Sequence, residues 1–362
     1  MNSKIIVKIP IDQSHISLKM YKGIGSDNGA TPWYTVLLMG SEKQKLKIAF
    51  DTGTNHSWVT SNRCITDACL MHQRFDVYFS ETYRQITSNC QPQTISFGPW
   101  GAMLVSMGQD CILFHDSVSN HDIPVPDYNL YISQEYCGKQ FESLIWDGAI
   151  GIPSIPDLTD TSELVKVILG QPTFQKVLFF NYKDKEIQFG NFKLKDVLIF
   201  DLKKDVPKAY NNLWFVNLNR IQIGNQTLAI PDKKPLENIS FCIDTGSSYF
   251  KGDPLIINAL IAAVTYNGLL PLFVTQNDPK FLAYPTLKLS VKMANGHGFY
   301  DLILEPMHYF EKIAEDLYVL AFHPMEGLDN ILLTGSEFLE KYNPVFYFDE
   351  NMNGNSIGLV PI

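Results

Sequence analysis

The 362-residue chain predicts an all-β protein built as two similar halves, and three observations carry that expectation. Short apolar runs rich in β-branched and aromatic residues recur along the whole length, separated by Gly, Asn, Asp and Pro. Helical patterns are few. The triplet Asp-Thr-Gly occurs twice, about half the chain apart, each time after an apolar run of strand length.

In chain order, the strand-like runs are "IIVKI" (5–9), "YTVLLMG" (34–40), "LKIAF" (46–50), "VLFFNY" (177–182), "EIQFG" (186–190), "VFYFD" (345–349) and "IGLVPI" (357–362). Each is too short for a typical globular helix and carries the residue types that fit a pleated, half-buried surface. Two segments read as helix. Residues 161–169 ("TSELVKVIL") place apolar residues at helical spacing and stop at Gly170. Residues 253–264 ("DPLIINALIAAV") open with Asp253 at the cap and Pro254 at the first helical position.

The chain is 45% hydrophobic, 12% aromatic and 19% charged, a globular composition rather than a disordered one. A net charge of −9 argues against nucleic acid and against an anionic membrane as partners, because both select positive surfaces. No stretch approaches the roughly 18 consecutive apolar residues of a membrane span. The N-terminus has only Ile5–Val7 as an apolar run before Lys8, too little for a signal peptide. The expectation is a cytoplasmic chain if Met1 is the natural start, and a secreted or periplasmic one if the chain has been processed.

Six cysteines, Cys64, Cys69, Cys90, Cys111, Cys137 and Cys242, permit up to three bridges without requiring any. Cys64 and Cys69 are near enough to staple one small loop. With His72 they also suggest zinc, but no second pair with ligand spacing follows, so no metal is expected. His115 and His121 lie near acidic residues in a loop and read as solvated surface. Asn-x-Ser/Thr triplets stand at Asn55, Asn225 and Asn238. A glycan on Asn55, four residues after Asp51, would crowd that aspartate, which favours a chain that never meets a glycosylation machinery.

The repeat extends beyond the triplet. Asp51 is followed roughly a hundred residues later by "GAIG", ending at Gly151, and Asp244 at a similar distance by "LLTG", ending at Gly335. One Asp-Thr-Gly arises by chance in such a chain with a probability on the order of several per cent. Two in matching contexts are far rarer, so Asp51 and Asp244 read as copies of one unit rather than separate turns. Two such carboxylates brought together cannot both ionise easily and share a proton, giving a general base and a general acid in one site. Water is the nucleophile in this chemistry, and no cofactor is needed. Gly53 and Gly246 allow close backbone approach. Thr54 and Ser247 are placed to donate to the outer oxygens of their own aspartates, and Thr52 and Thr245 to lock the two turns together.

These motifs resemble those of the pepsin-like aspartic peptidases over nearly the whole chain. "FDTGTNHSWV" is similar to the family's first catalytic loop, with Trp58 seven residues after Asp51. Cys64 and Cys69 match its small disulfide loop, and "WDGAIGIP" (146–153) its Asp-Gly-Ile-x-Gly segment. "LWFVNLNRIQIGNQTL" (213–228) resembles the start of the second lobe, and "IDTGSSYFKGDP" (243–254) with "ILLTGSEFLEKYNPVFYFD" (331–349) completes it. The resemblance implies a bilobal pepsin-like fold, with lobes at 1–204 and 205–362, the last strands returning to an interlobe sheet, and one aspartate per lobe. It implies a monomeric endopeptidase that cleaves extended, mainly apolar segments of peptides or proteins at acidic to mildly acidic pH and is blocked by pepstatin-type inhibitors.

Three departures stand out. The flap position usually held by Tyr is Phe97, within "ISFGPWGAM" (95–103) and followed by Gly98, so a hydroxyl bond toward Trp58 is lost; a slower or differently selective enzyme is expected. Few residues precede Asp51, which resembles the prosegment-free pepsin-like enzymes of prokaryotes. The second half holds one cysteine, Cys242, read as a buried thiol. Among pocket residues, Trp58, Phe97, Gly98 and Ser248 are expected to meet substrate. Ala149, where the family usually has a larger aliphatic residue, is expected to widen the pocket before the scissile bond. Two other readings compete: an ATPase of the actin and Hsp70 type, which also carries two Asp-x-Gly turns but alternates strand and helix, and a weak or inactive pepsin-fold binding protein.

Overall fold

The computed structural model describes residues 14–25, 28–86, 91–155, 161, 163–230, 238–275 and 277–362. The predicted strand at 5–9 and Cys90 lie outside them. The chain divides into two compact units. The first comprises Met1–Gly23, Trp33–Lys193 and Phe348–Asn353, and the second Ile24–Pro32, Leu194–Tyr347 and Gly354–Ile362.

In the first unit the main sheet runs, neighbour by neighbour, through Tyr21–Lys22, Trp33–Met39, Gln44–Asp51, Gly148–Gly151, Trp58–Val59, His121–Cys137, Ala102–Asp116 and Arg84–Gln85. Trp33–Met39 alternates buried and half-buried positions, the period-2 signature of a strand with one face in the core. Gln44–Asp51 starts with the same alternation and ends in three consecutive buried residues, Ile48, Ala49 and Phe50. A strand buried on both faces reads as a continuous apolar run, and this one delivers Asp51 at its end.

The second unit repeats this construction. Its main sheet passes through Phe299–Leu304, Leu287–Lys292, Phe215–Ile223, Ile239–Ile243, Ile331–Thr334, Phe250–Gly252 and Phe322–Pro324. All five residues of Ile239–Ile243 are buried, and Asp244 follows directly.

The two units share one local topology. In the first, the Asp51 strand runs parallel to Gly148–Gly151 with Gly151 opposite Asp51. Gly148–Gly151 runs antiparallel to Trp58–Val59, which in turn lies parallel to His121–Cys137. In the second, Ile239–Ile243 runs parallel to Ile331–Thr334 with Ile243 opposite Thr334. Ile331–Thr334 runs antiparallel to Phe250–Gly252, which lies parallel to Phe322–Pro324. Parallel neighbours need a long crossover, and the long segment between each triplet and its partner glycine supplies it.

Both predicted helices form. Pro254–Val264 starts as its sequence dictates: the Asp253 carboxylate accepts from the Leu255 N–H at 2.9 Å, and Pro254 occupies the first turn. The other spans Glu163–Leu169. Thr161 is engaged elsewhere, accepting from the buried Ser57 N–H.

Candidate active site

Asp51 stands where its strand ends. Its backbone is held by the Ile152 N–H, which donates to the Asp51 carbonyl at 2.8 Å. Its carboxylate Oδ1 accepts from the Gly53 N–H at 2.7 Å, an Asx turn that aims the side chain back over its own triplet. The chain then passes directly over Gly151. A Cβ on Gly151 would lie 2.7 Å from the Asn55 carbonyl carbon and 2.8 Å from the His56 nitrogen, so only glycine allows this approach. Beneath the loop the Ser57 hydroxyl accepts from the Gly151 N–H at 3.1 Å and from the Tyr128 hydroxyl at 2.8 Å. Ser57 is fully buried, so the Asn55 triplet ends inside the core.

Asp244 is built the same way. Its N–H donates to the Thr334 carbonyl at 3.0 Å, and its Oδ1 accepts from the Gly246 N–H at 2.8 Å. A Cβ on Gly335 would lie 2.1 Å from the Ser247 oxygen and 2.7 Å from the Ser248 nitrogen. Thus each glycine at the end of the repeat is the seat over which its aspartate's loop closes. Thr52 and Thr245 are both buried beside their aspartates.

The Ser247 hydroxyl is drawn to other acceptors. Ser247 donates to the Gly29 and Tyr249 carbonyls, at 3.2 and 3.3 Å, in place of the expected bond to Asp244. The cause is the segment before Trp33, which runs alongside the triplet: Ala30 bridges Ser247, Thr31 N–H donates to Gly246, and Ser248 N–H donates to Gly29. A hydroxyl with one proton settles on those carbonyls. The Thr54 hydroxyl accepts from the His56 N–H at 3.1 Å. Ser248 is fully buried, and its hydroxyl donates to the buried carboxylate of Glu311 at 2.9 Å.

Phe97 sits at the tip of a hairpin between strands Gln93–Ser96 and Ala102–Asp116, paired in register from Gln93↔Val105 to Ser96↔Ala102. Its N–H donates to the Gly101 carbonyl at 2.8 Å, and a turn of 3-10 helix at Gly98–Trp100 makes the bend. Gly98 has φ 61°, in the left-handed region that favours glycine. The Phe97 ring lies 6.2 Å from Trp58, making an apolar contact where the resemblance leads one to look for a hydroxyl. Trp58, 2% exposed, is the hub of an aromatic cluster with Tyr136, Phe141 and Trp146 at 5.7, 6.5 and 5.7 Å.

Ala149 lies in the middle of its sheet. It is fully buried, facing Ala49 on one side and Trp58 on the other in the strand ladder, so its methyl contributes to the core and reaches no solvent. Cys64 and Cys69 form a disulfide with Cα atoms 5.9 Å apart, which removes them as thiolate ligands. The neighbouring His72 instead meets the Phe141 carbonyl at 2.8 Å. Cys242 is buried in the Asp244 strand, while Cys111 and Cys137 carry no bridge. His56 escaped the sequence reading altogether. Its ring packs edge-on against Phe97 and Tyr131, and burial pushes its pKa from 6.5 down to about 4. The available signal was its position, between the triplet and Trp58.

Comparison with known proteins places these features in one family. Residues 32–361 match the family model described as eukaryotic aspartyl protease. The chain is 26% identical to a vacuolar aspartic protease of Candida albicans over 349 residues, covering 91% of this chain and 75% of that protein. It is 24% identical to pepsin A of Gallus gallus, covering 91% and 84%. Cathepsin E-B of Xenopus laevis is likewise 24% identical, with coverage of 91% and 79%. These relatives are eukaryotic, and the expected likeness to prokaryotic enzymes finds no support. A match running from residue 32 to residue 361 takes in both halves of the repeat, and the chain therefore belongs to the eukaryotic aspartyl protease family.

Proposed function

We propose that the protein is an aspartic endopeptidase in which Asp51 and Asp244, one from each lobe, form a single catalytic pair. The observation that carries this reading is the duplicated seat: strand, aspartate, Asx turn and a glycine that only a closely passing loop requires, built twice. With lobes at 1–204 and 205–362, each lobe supplies one carboxylate of the pair. One is then ionised and takes a proton from a water held between them. The other is protonated, polarises the substrate carbonyl and passes its proton to the leaving amine. The proton belongs to the pair.

Thr52 and Thr245, both buried, suit a role in locking the turns. The Phe97 hairpin covers an extended, mainly apolar peptide and excludes water from it. Trp58 stiffens the hairpin from below. The enzyme acts as a monomer on peptide or protein substrates, at acidic to mildly acidic pH, and pepstatin-type inhibitors block it. Bridging of Cys64 to Cys69 favours an oxidising compartment over the cytosol.

The test is incubation with a denatured protein, with and without pepstatin, reading cleavage sites by mass spectrometry. Pepstatin-sensitive cuts beside apolar residues are expected at pH 3 to 6. Pepstatin binding without cleavage would instead identify a pepsin-fold binding protein, and stabilisation by ATP with magnesium would point to the ATPase reading.

A further inference from the structure

We propose that His56 is a positioning residue that holds the hairpin tip over the Asp51 loop by packing its neutral imidazole against Phe97. This rests on the reading of Asp51 as a catalytic aspartate, and it assigns a role to a residue outside the two triplets. The His56 backbone is fixed on two sides. Its N–H donates to Thr54, and its main chain abuts Gly151 so closely that a Cβ there would lie 2.8 Å from its nitrogen and 2.9 Å from its oxygen. The ring therefore starts from a rigid base.

That ring packs against two others. Tyr131, on the strand His121–Cys137, lies 5.5 Å away at 71°, and Phe97 lies 5.9 Å away at 89°. Both are edge-to-face geometries, the arrangement in which aromatic pairs attract through their quadrupoles. Phe97 also meets Trp100 and Phe141, so the His56 contact is transmitted to the whole tip. Of the elements packed on the imidazole, the hairpin contributes an uncharged ring, the strand a phenol that is neutral in acid, and the Gly151 strand only backbone. The acid on its own loop is Asp51, five residues upstream.

His56 Nδ1 is buried and has no hydrogen-bond partner. A neutral imidazole tolerates that as an unused acceptor. A protonated one would bury a charged N–H with nothing to receive it, which is why burial alone brings its pKa down to about 4. Above that pH the ring stays neutral and the slot between Tyr131 and Phe97 stays filled. Below it, the cation seeks water, leaves the slot and releases the tip. Substrate capture then weakens on the acid side.

The experiment compares wild type, His56→Phe and His56→Ala. KM and kcat for a pepstatin-sensitive peptide are followed from pH 2.5 to 6, together with the fluorescence of the five tryptophans, to which Trp58 and Trp100 beside Phe97 contribute without any need for turnover. In wild type, KM should climb and fluorescence change around pH 4. His56→Phe keeps the ring contact and cannot titrate, so both transitions should vanish while KM at pH 5 stays close to wild type. His56→Ala should raise KM roughly 2- to 10-fold at every pH, with kcat less affected. Persistence of both transitions in His56→Phe would overturn the proposal, as would a wild-type KM in a folded His56→Ala. If wild type cleaves nothing, the peptidase reading fails, and the fluorescence comparison still decides the role of His56.

Discussion

Gly335→Ala is the sharpest structural perturbation available. The added Cβ would sit 2.1 Å from the Ser247 oxygen, 2.3 Å from its carbonyl carbon and 2.7 Å from the Ser248 nitrogen. All three are backbone atoms, so no side chain can rotate away and the loop carrying Asp244 must move by about 1.4 Å to restore an ordinary contact near 3.5 Å. Overpacking into fixed structure costs roughly 1–3 kcal/mol, and this contact stands at the top of that range. For a unit of this size, ~3 kcal/mol lowers the melting temperature by about 6–12 °C. Gly224→Ala is the control. Gly224 also has positive φ, 57°, but nothing lies within 4 Å of its Cβ position, so only a left-handed penalty of about 1–2 kcal/mol applies. Calorimetry should show Gly335→Ala well below Gly224→Ala, and peptidase activity should fall in the first variant alone. Equal melting temperatures for the two would refute the idea that Gly335 is the seat of the Asp244 loop.

Two further outcomes follow from the structure. The unfolded chain protonates His56 near 6.5 whereas the folded chain resists until about 4, so stability falls as pH drops across that window, by ~3 kcal/mol, and levels off below it; unfolding free energies of wild type and His56→Phe from urea titrations should diverge by this amount between pH 7 and 4, and parallel curves would contradict it. Asp253→Ala removes both the Leu255 cap and the acceptor for the Asn330 N–H, each a part-buried bond of 2.9 Å, and should cost about 2 kcal/mol in a denaturant titration, against a few tenths for an exposed surface change such as Lys280→Ala.

Much of this architecture was legible because it is locally encoded. The apolar run Ile48–Phe50 announces a doubly buried strand, and Asp253-Pro254 announces a helix start. The repeat was legible because Gly151 and Gly335 are required by close backbone approach and so persist at matching offsets. What escaped depends on distant partners. Nothing near Ser247 says that Gly29, 218 residues earlier, will claim its hydroxyl. Nothing near Ala149 says that it will be fully buried between the Asp51 strand and the Trp58 strand of the same sheet. His56 drew no attention because a histidine's environment comes from rings at positions 97 and 131, neither implied by its own neighbours. Local pattern carried the elements and the aspartates, and tertiary contacts decided how the supporting side chains are used.

The central claim is that two equivalent aspartates act as one pair. It is tested most directly by assaying pepstatin-sensitive peptide cleavage across pH 3 to 7 for wild type, Asp51→Asn and Asp244→Asn, with folding checked by circular dichroism. Each substitution alone is expected to lower kcat by at least 10²–10⁴-fold and to a similar extent, because half of a shared-proton pair does not work. Cleavage that survives either single substitution in a folded protein would contradict it.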